Sequence, residues 1–169
     1  PQYSATTTAS IFDAIAKKFK SIRNIPELLF IKDYYQHPTY IKAISDSIAT
    51  HWQQTKRADK LIFSFHGIPE RYVKKGDPYA MQCEKTVQAV ARELNLKEDE
   101  YCLCYQSRLG REKWLMPYTF ETLQKLPSQG IKNIDVVCPG FSVDCLETLE
   151  EVNLLNRESF LAAGGESFR

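Results

Sequence analysis

The sequence predicts an α/β fold: a doubly wound, mostly parallel four-stranded sheet flanked by helices. Three observations predict it. Short apolar runs alternate with stretches of helical periodicity along the whole chain. The runs are apolar enough to be strands buried between helical layers. Short loops with turn residues join them, and no repeat or low-complexity linker intervenes.

The elements follow in order. Ile11, Ala14, Ile15 and Phe19 recur at helical spacing. The run ELLFIKDY, from Glu27 to Tyr34, reads as the first strand. A second helix carries Ile41, Ile44, Ile48 and Trp52 behind Pro38. The run LIFSFH, ending on His66, is the second strand. Asp77 can cap a helix that Pro78 opens, with Cys83, Val87, Val90 and Leu94 as its inner stripe. YCLCYQS is the third strand, and a short helix from Thr119 to Leu126 stops at Pro127 and Gly130. IDVVCPGF is the fourth strand, and the last helix starts near Asp144.

With 169 residues, one domain with one sizeable core is expected. The net charge of +1 gives no field that favours nucleic acid or an anionic membrane. No apolar run approaches the roughly 20 residues of a membrane span, so at most peripheral membrane contact is expected. The chain opens on Pro1 in mid-pattern and stops soon after Gly164 and Gly165, so it reads as a segment of a longer protein. Its five cysteines fit neither a zinc ribbon nor a disulfide scaffold, which suggests reduced, packed thiols in a cytoplasmic protein.

Ligands of parallel sheets gather beyond the carboxyl ends of strands. His66 sits at such an end, and Gly67 and Pro69 force a turn after it. A lone histidine beside an apolar strand is commonly a packed residue; its position at the rim favours function. At about 100° per residue, Asp144, Glu147 and Glu151 share one face of the last helix, opposite Cys145, Leu146, Leu149, Val152 and Phe160. A solvated acidic face and a line of metal ligands both fit that pattern. Leu155 interrupts the acidic face, and like charges at this spacing repel by a few tenths of a kcal/mol. Imidazole with carboxylate suits iron, cobalt or zinc, and so small a ligand set suits handing metal on rather than storing it. His37 and His51 read as structural or surface residues. The cluster Trp114, Leu115, Met116 and Pro117 is either core or one wall of an apolar slot. No glycine-rich phosphate loop follows any strand, which argues against a nucleotide domain.

The segments PQYSATTT, SFHGIP, GDPYAMQC, YQSRLGREKWLMPYT and CPGFSVDCLETLEE, in this order, resemble ferrochelatases, chiefly bacterial ones. The resemblance runs from Pro1 to about Arg169 and implies the C-terminal half, residues 1–169, of a fold of two doubly wound halves facing across a cleft. The missing N-terminal half is then a partner within the same protein. The implied activity is insertion of ferrous iron into a porphyrin, protoporphyrin IX, to form haem, with release of two pyrrole protons. Iron enters as substrate, with no prosthetic group. Some members bind an iron–sulfur cluster through cysteines near their end, a pattern these five cysteines do not match. The resemblance makes His66 and Glu147 the catalytic pair and extends an acidic path through Asp144 and Glu151. A porphyrin slot is expected around Trp114, Leu115, Met116, Pro117 and Phe141. Two other readings remain at this stage: a chelatase for another metal, and a tetrapyrrole- or metal-binding half-domain without catalysis.

Overall fold

The computed structural model describes residues 1–169. Its centre is a parallel four-stranded sheet of β1 (Lys60–His66), β2 (Tyr101–Gln106), β3 (Asn133–Val137) and β4 (Ser167–Phe168), in the order β2-β1-β3-β4. Six α-helices accompany it: α1 (Ser10–Phe19), α2 (Pro38–Gln54), α3 (Glu70–Lys74), α4 (Tyr79–Glu93), α5 (Thr119–Lys125) and α6 (Arg157–Ala162). A π-helix, Glu147–Asn156, runs directly into α6.

Side-chain alternation along β1 divides the interior into two layers. Leu61, Phe63 and Phe65 pack with Ile41 and Ile48 of α2 and with Cys83, Val87 and Val90 of α4. Ile62 points the other way, joining Cys104, Ile134, Leu123, Val152, Phe160 and Phe168 under α5 and the last helix. Helices therefore cover both faces, and β1 is buried along all but its two ends. Pairing of β1 with both β2 and β3 satisfies its backbone, with His66 opposite Gln106 at the carboxyl edge.

Local chemistry sets the boundaries. Asp77 accepts the Tyr79 amide at 3.0 Å, the capping role its position predicts. At the end of α4 Asn95 takes a positive φ of 52°, while the Leu96 amide turns back to the Ala91 carbonyl. Asp135, buried on β3, accepts from Trp52 of α2 at 2.7 Å and from Arg169 at 2.9 Å, with His51 at 3.6 Å. That knot ties the end of the chain to the edge of α2. It also gives His51 the structural position expected of it.

Two expectations fail. Glu27–Tyr34 is not a strand of this sheet: it has no regular secondary structure and is largely exposed, and the fourth strand is instead Ser167–Phe168. An apolar run becomes a strand only where a neighbour accepts its ladder, and no strand of this sheet pairs with this one. The last helix also departs from 3.6 periodicity. Its π-helical turns hold more than four residues, so the buried positions are Val152, Asn156 and Phe160, while Leu146 and Leu149 are exposed rather than inward.

Candidate active site

The apolar run of β1 carries the chain to the sheet edge and delivers His66 there, half-buried. The strand does not simply end. The Gly67 amide extends the ladder to the Gln106 carbonyl at 2.8 Å. A Cβ on Gly67 would lie 3.1 Å from that carbonyl and 3.2 Å from the Trp114 ring, so glycine lets the two backbones and the indole close up. Pro69 then pairs with Trp114 in an isolated bridge, and the Leu115 amide bonds the Ile68 carbonyl at 2.9 Å.

The imidazole is oriented by its own turn. Nδ1 lies 2.7 Å from the Gly67 carbonyl. A carbonyl only accepts, so Nδ1 carries the proton in the neutral ring and Nε2 keeps the lone pair. Tyr79 steadies the backbone by donating to the His66 carbonyl at 2.8 Å. A cavity of about 360 Å³ opens at this point, lined by His66, Trp114, Tyr72 and Tyr79 together with the hydroxyl residues Ser4, Thr6 and Thr7. Those hydroxyl residues come from the chain start, which Asp77 anchors by accepting Ser4 Oγ at 2.9 Å and the Ala5 amide at 2.8 Å.

Glu147, at the start of the π-helix, is half-buried. Its carboxyl is held below the usual carboxylate range first by the Cys145 side chain, then by its own amide; the charge of His66 adds to this and burial opposes it. Glu147 is not in the wall of the His66 cavity. Glu151 is committed elsewhere. It accepts the Ser107 amide at 2.7 Å and Ser107 Oγ at 2.5 Å, in a neighbouring depression that also holds Arg108 and Tyr118. Ser107 adopts a φ of 65°, a conformation that turns its amide and hydroxyl toward one carboxylate. Asp144 is exposed, accepts Thr148 Oγ1 at 3.0 Å, and lines a third depression with Phe141.

His66, Glu147, Asp144 and Glu151 thus share the carboxyl edge of the sheet without converging. No three His, Cys, Asp or Glu side chains are grouped so as to hold a metal ion. The predicted slot divides as well. Trp114 faces the His66 cavity. Leu115 packs on the first core layer, and Met116 is exposed. The Pro117 carbonyl serves the Tyr105 amide, and Phe141 belongs to the third depression.

Sequence reasoning placed Gln106 and Ser107 at a strand end without giving them a role. Gln106 is buried, accepts Ser64 Oγ at 2.6 Å, and its amide nitrogen lies 3.5 Å from the Glu147 carbonyl. Amide and hydroxyl side chains after an apolar strand were the available signal. Tyr79 and the threonines of the chain start carried none, because their approach to His66 is tertiary. The five cysteines are free, and burial pushes the Cys138 thiol up to about 12.

Comparison with known proteins gives a consistent result. The ferrochelatase family profile matches residues 1–169. A curated protein named ferrochelatase from Methylococcus capsulatus is 55% identical over 169 residues, which is 100% of this chain and 52% of that protein. Its counterpart from Herminiimonas arsenicoxydans is 54% identical over 99% of this chain and 46% of its own length. One from Vibrio cholerae is 52% identical over 99% and 52%. The chain spans about half the length of the curated relatives it matches.

Proposed function

The chain belongs to the ferrochelatase family, and we propose that it forms the C-terminal half of an enzyme that inserts ferrous iron into protoporphyrin IX. The reaction exchanges one dication for two pyrrole protons, so the site must accept protons and admit metal. The observation that carries this reading is the bond between His66 Nδ1 and the Gly67 carbonyl at 2.7 Å. It reserves Nε2 as a proton acceptor beside a cavity walled by aromatic rings. A cavity of about 360 Å³ lies near the lower end of the usual range for small-molecule sites, which suits one wall of a larger cleft. The other half of the protein would supply the opposite wall.

Each side chain has a part in this reading. Trp114 offers a flat apolar surface to the macrocycle, and its ring centre lies 6.2 Å from that of His66. Leu115, Met116 and Pro117 hold the loop that carries it, and Phe141 borders the approach. His66 takes the pyrrole protons, and Glu147, kept ionised, holds the incoming iron or passes those protons outward. Asp144 and Glu151 lie further along the route by which iron arrives, with Glu151 steadied by Ser107. Iron is substrate and product here, so no resident cofactor is invoked. No helix is long and apolar enough to cross a membrane. We place the protein in the cytoplasm, with at most peripheral membrane contact.

The test uses the complete chain. His66→Ala should abolish iron insertion with the fold retained, and Glu147→Gln should nearly abolish it while porphyrin still binds. Undiminished turnover in His66→Ala would overturn the assignment. Insertion of cobalt or nickel in preference to iron would favour a chelatase for another metal. Porphyrin binding without metallation in the wild type would favour a half-domain that only binds.

A further inference from the structure

β2 is the outer strand of the sheet, and its side chains alternate between the two core layers. Tyr101, Leu103 and Tyr105 meet the first layer, whereas Cys102 and Cys104 meet the second, under α5. The two sulfurs lie 3.8 Å apart. Both thiols are free; Cys104 is fully buried and Cys102 half-buried, so the pair is reached from solvent through Cys102. The chemistry at His66 uses neither.

Their spacing decides between the fates open to two touching thiols. Residues two apart in a strand stand about 6.6 Å apart, and side chains on one face keep their Cβ atoms near that separation. A disulfide needs Cβ atoms about 3.5–4.5 Å apart. β2 is paired with β1 at every residue from Tyr101 to Gln106, and it would have to buckle to bring them there. A bridging metal ion asks for far less. Two thiolate–metal bonds of about 2.3 Å span the 3.8 Å gap at an angle of about 110°, and a linear bridge moves the sulfurs apart by less than about 1 Å. The ligand count then selects the ion. No three His, Cys, Asp or Glu side chains are grouped so as to hold a metal, and Cys138, another thiol on this face, meets Gln106 at 3.9 Å rather than the pair. Zinc wants four ligands. Soft thiolates select Cu(I), whose filled d shell is content with two. Charge agrees with a monovalent ion. The ammonium of Lys60, at the start of β1, favours the thiolate form of both cysteines. It also offsets the single negative charge that two thiolates and one monovalent cation leave behind.

We propose that Cys102 and Cys104 form a two-coordinate site for a soft monovalent cation, Cu(I), separate from the iron route at the carboxyl edge of the sheet. Binding breaks two S–H bonds, releases both protons to solvent and forms two S–Cu bonds, with no change of oxidation state. Cys102 is the entrance. Ile62 and Leu123, fully buried beside Cys104, keep water and oxidants from the bridged ion.

The inference rests on no part of the chelatase reading. Its test is a titration of the complete chain, reduced and free of oxygen, with Cu(I) held by the chromophoric chelator bathocuproine disulfonate. The wild type should withdraw copper from the chelator and show an ultraviolet thiolate-to-copper band. The Cys138→Ala, Cys145→Ala double variant should do the same. Cys102→Ser, at a half-buried position that tolerates the change, should lose one equivalent of copper per chain and bind it roughly 100-fold or more weakly, since partners outside the ligand shell are already worth 10–100-fold. Copper left wholly with the chelator by the wild type overturns the inference. So does a Cys102→Ser protein, its fold checked by circular dichroism, that holds copper as tightly as the wild type. Loss of copper by the double variant would make a third thiol a ligand, and zinc displacing Cu(I) from the pair would require more ligands than two; either result overturns the two-coordinate site.

Discussion

Two apolar runs of similar composition meet opposite fates in this molecule. LIFSFH lies at the centre of the sheet, with Phe63 and Phe65 fully buried and its ladder paired on both sides. ELLFIKDY stands clear, with Leu29 85% exposed and no ladder. Leu, Ile and Phe make the apolar centre of both, although charged residues join it only in the second run; what differs in the fold is the presence of neighbours. A strand is a property of the pair of backbones and of the layers above and below it, and it cannot be read from one segment alone.

The widest separation between the two runs should appear in stability. Phe63→Ala removes a ring from a filled interior and should cost about 3–5 kcal/mol in denaturant unfolding of the 169-residue chain. Leu29→Ala in the same chain should stay within about 0.5 kcal/mol. Equal costs would erase the contrast. The next effect sharpens it from the second core layer. A Cβ at Gly165 would lie 2.2 Å from the Phe160 ring, which has no room to withdraw. Gly165→Ala should therefore cost about 1–3 kcal/mol by overpacking. A neutral substitution would mean that the body is no better filled than the exposed run.

The smallest effect concerns pH. Burial raises the Cys138 thiol to about 12, above the value of roughly 8.5 for an unfolded thiol. Its contribution to stability is complete below the unfolded value and is lost as pH rises from there toward 12. Near pH 8 the folded protein should alkylate Cys138 far more slowly than a free thiol, and denaturant should remove that protection. Rapid labelling of folded protein would show that this side of the sheet is as open as residues 27–31.

Much of the site was legible as place rather than as geometry. His66 at a strand end, the turn at Gly67 and Pro69, and the acids of the last helix all lie along the carboxyl edge of the sheet. How the three acids of the last helix are spread was not legible, because 100° per residue does not describe a helix that is π-helical from Glu147 to Asn156. Glu151, within that helix, meets Ser107, while Asp144, ahead of it, meets Thr148. Nor could the sequence show that Leu115 faces the core while Trp114 faces the cavity. Adjacent residues of one loop part company through contacts made far away in the chain.

By itself the sequence determined the alternation of strands and helices, the burial of β1 and the delivery of His66 to a rim. These follow from apolar periodicity and turn chemistry, which act over a few residues. Only the tertiary structure decided which apolar runs pair, that Ser167–Phe168 and not Glu27–Tyr34 is the fourth strand, and which atoms His66, Glu147 and Glu151 each address. Hydrogen-bond partners and packing layers come from segments distant in the chain, and no local pattern encodes how far away a partner lies.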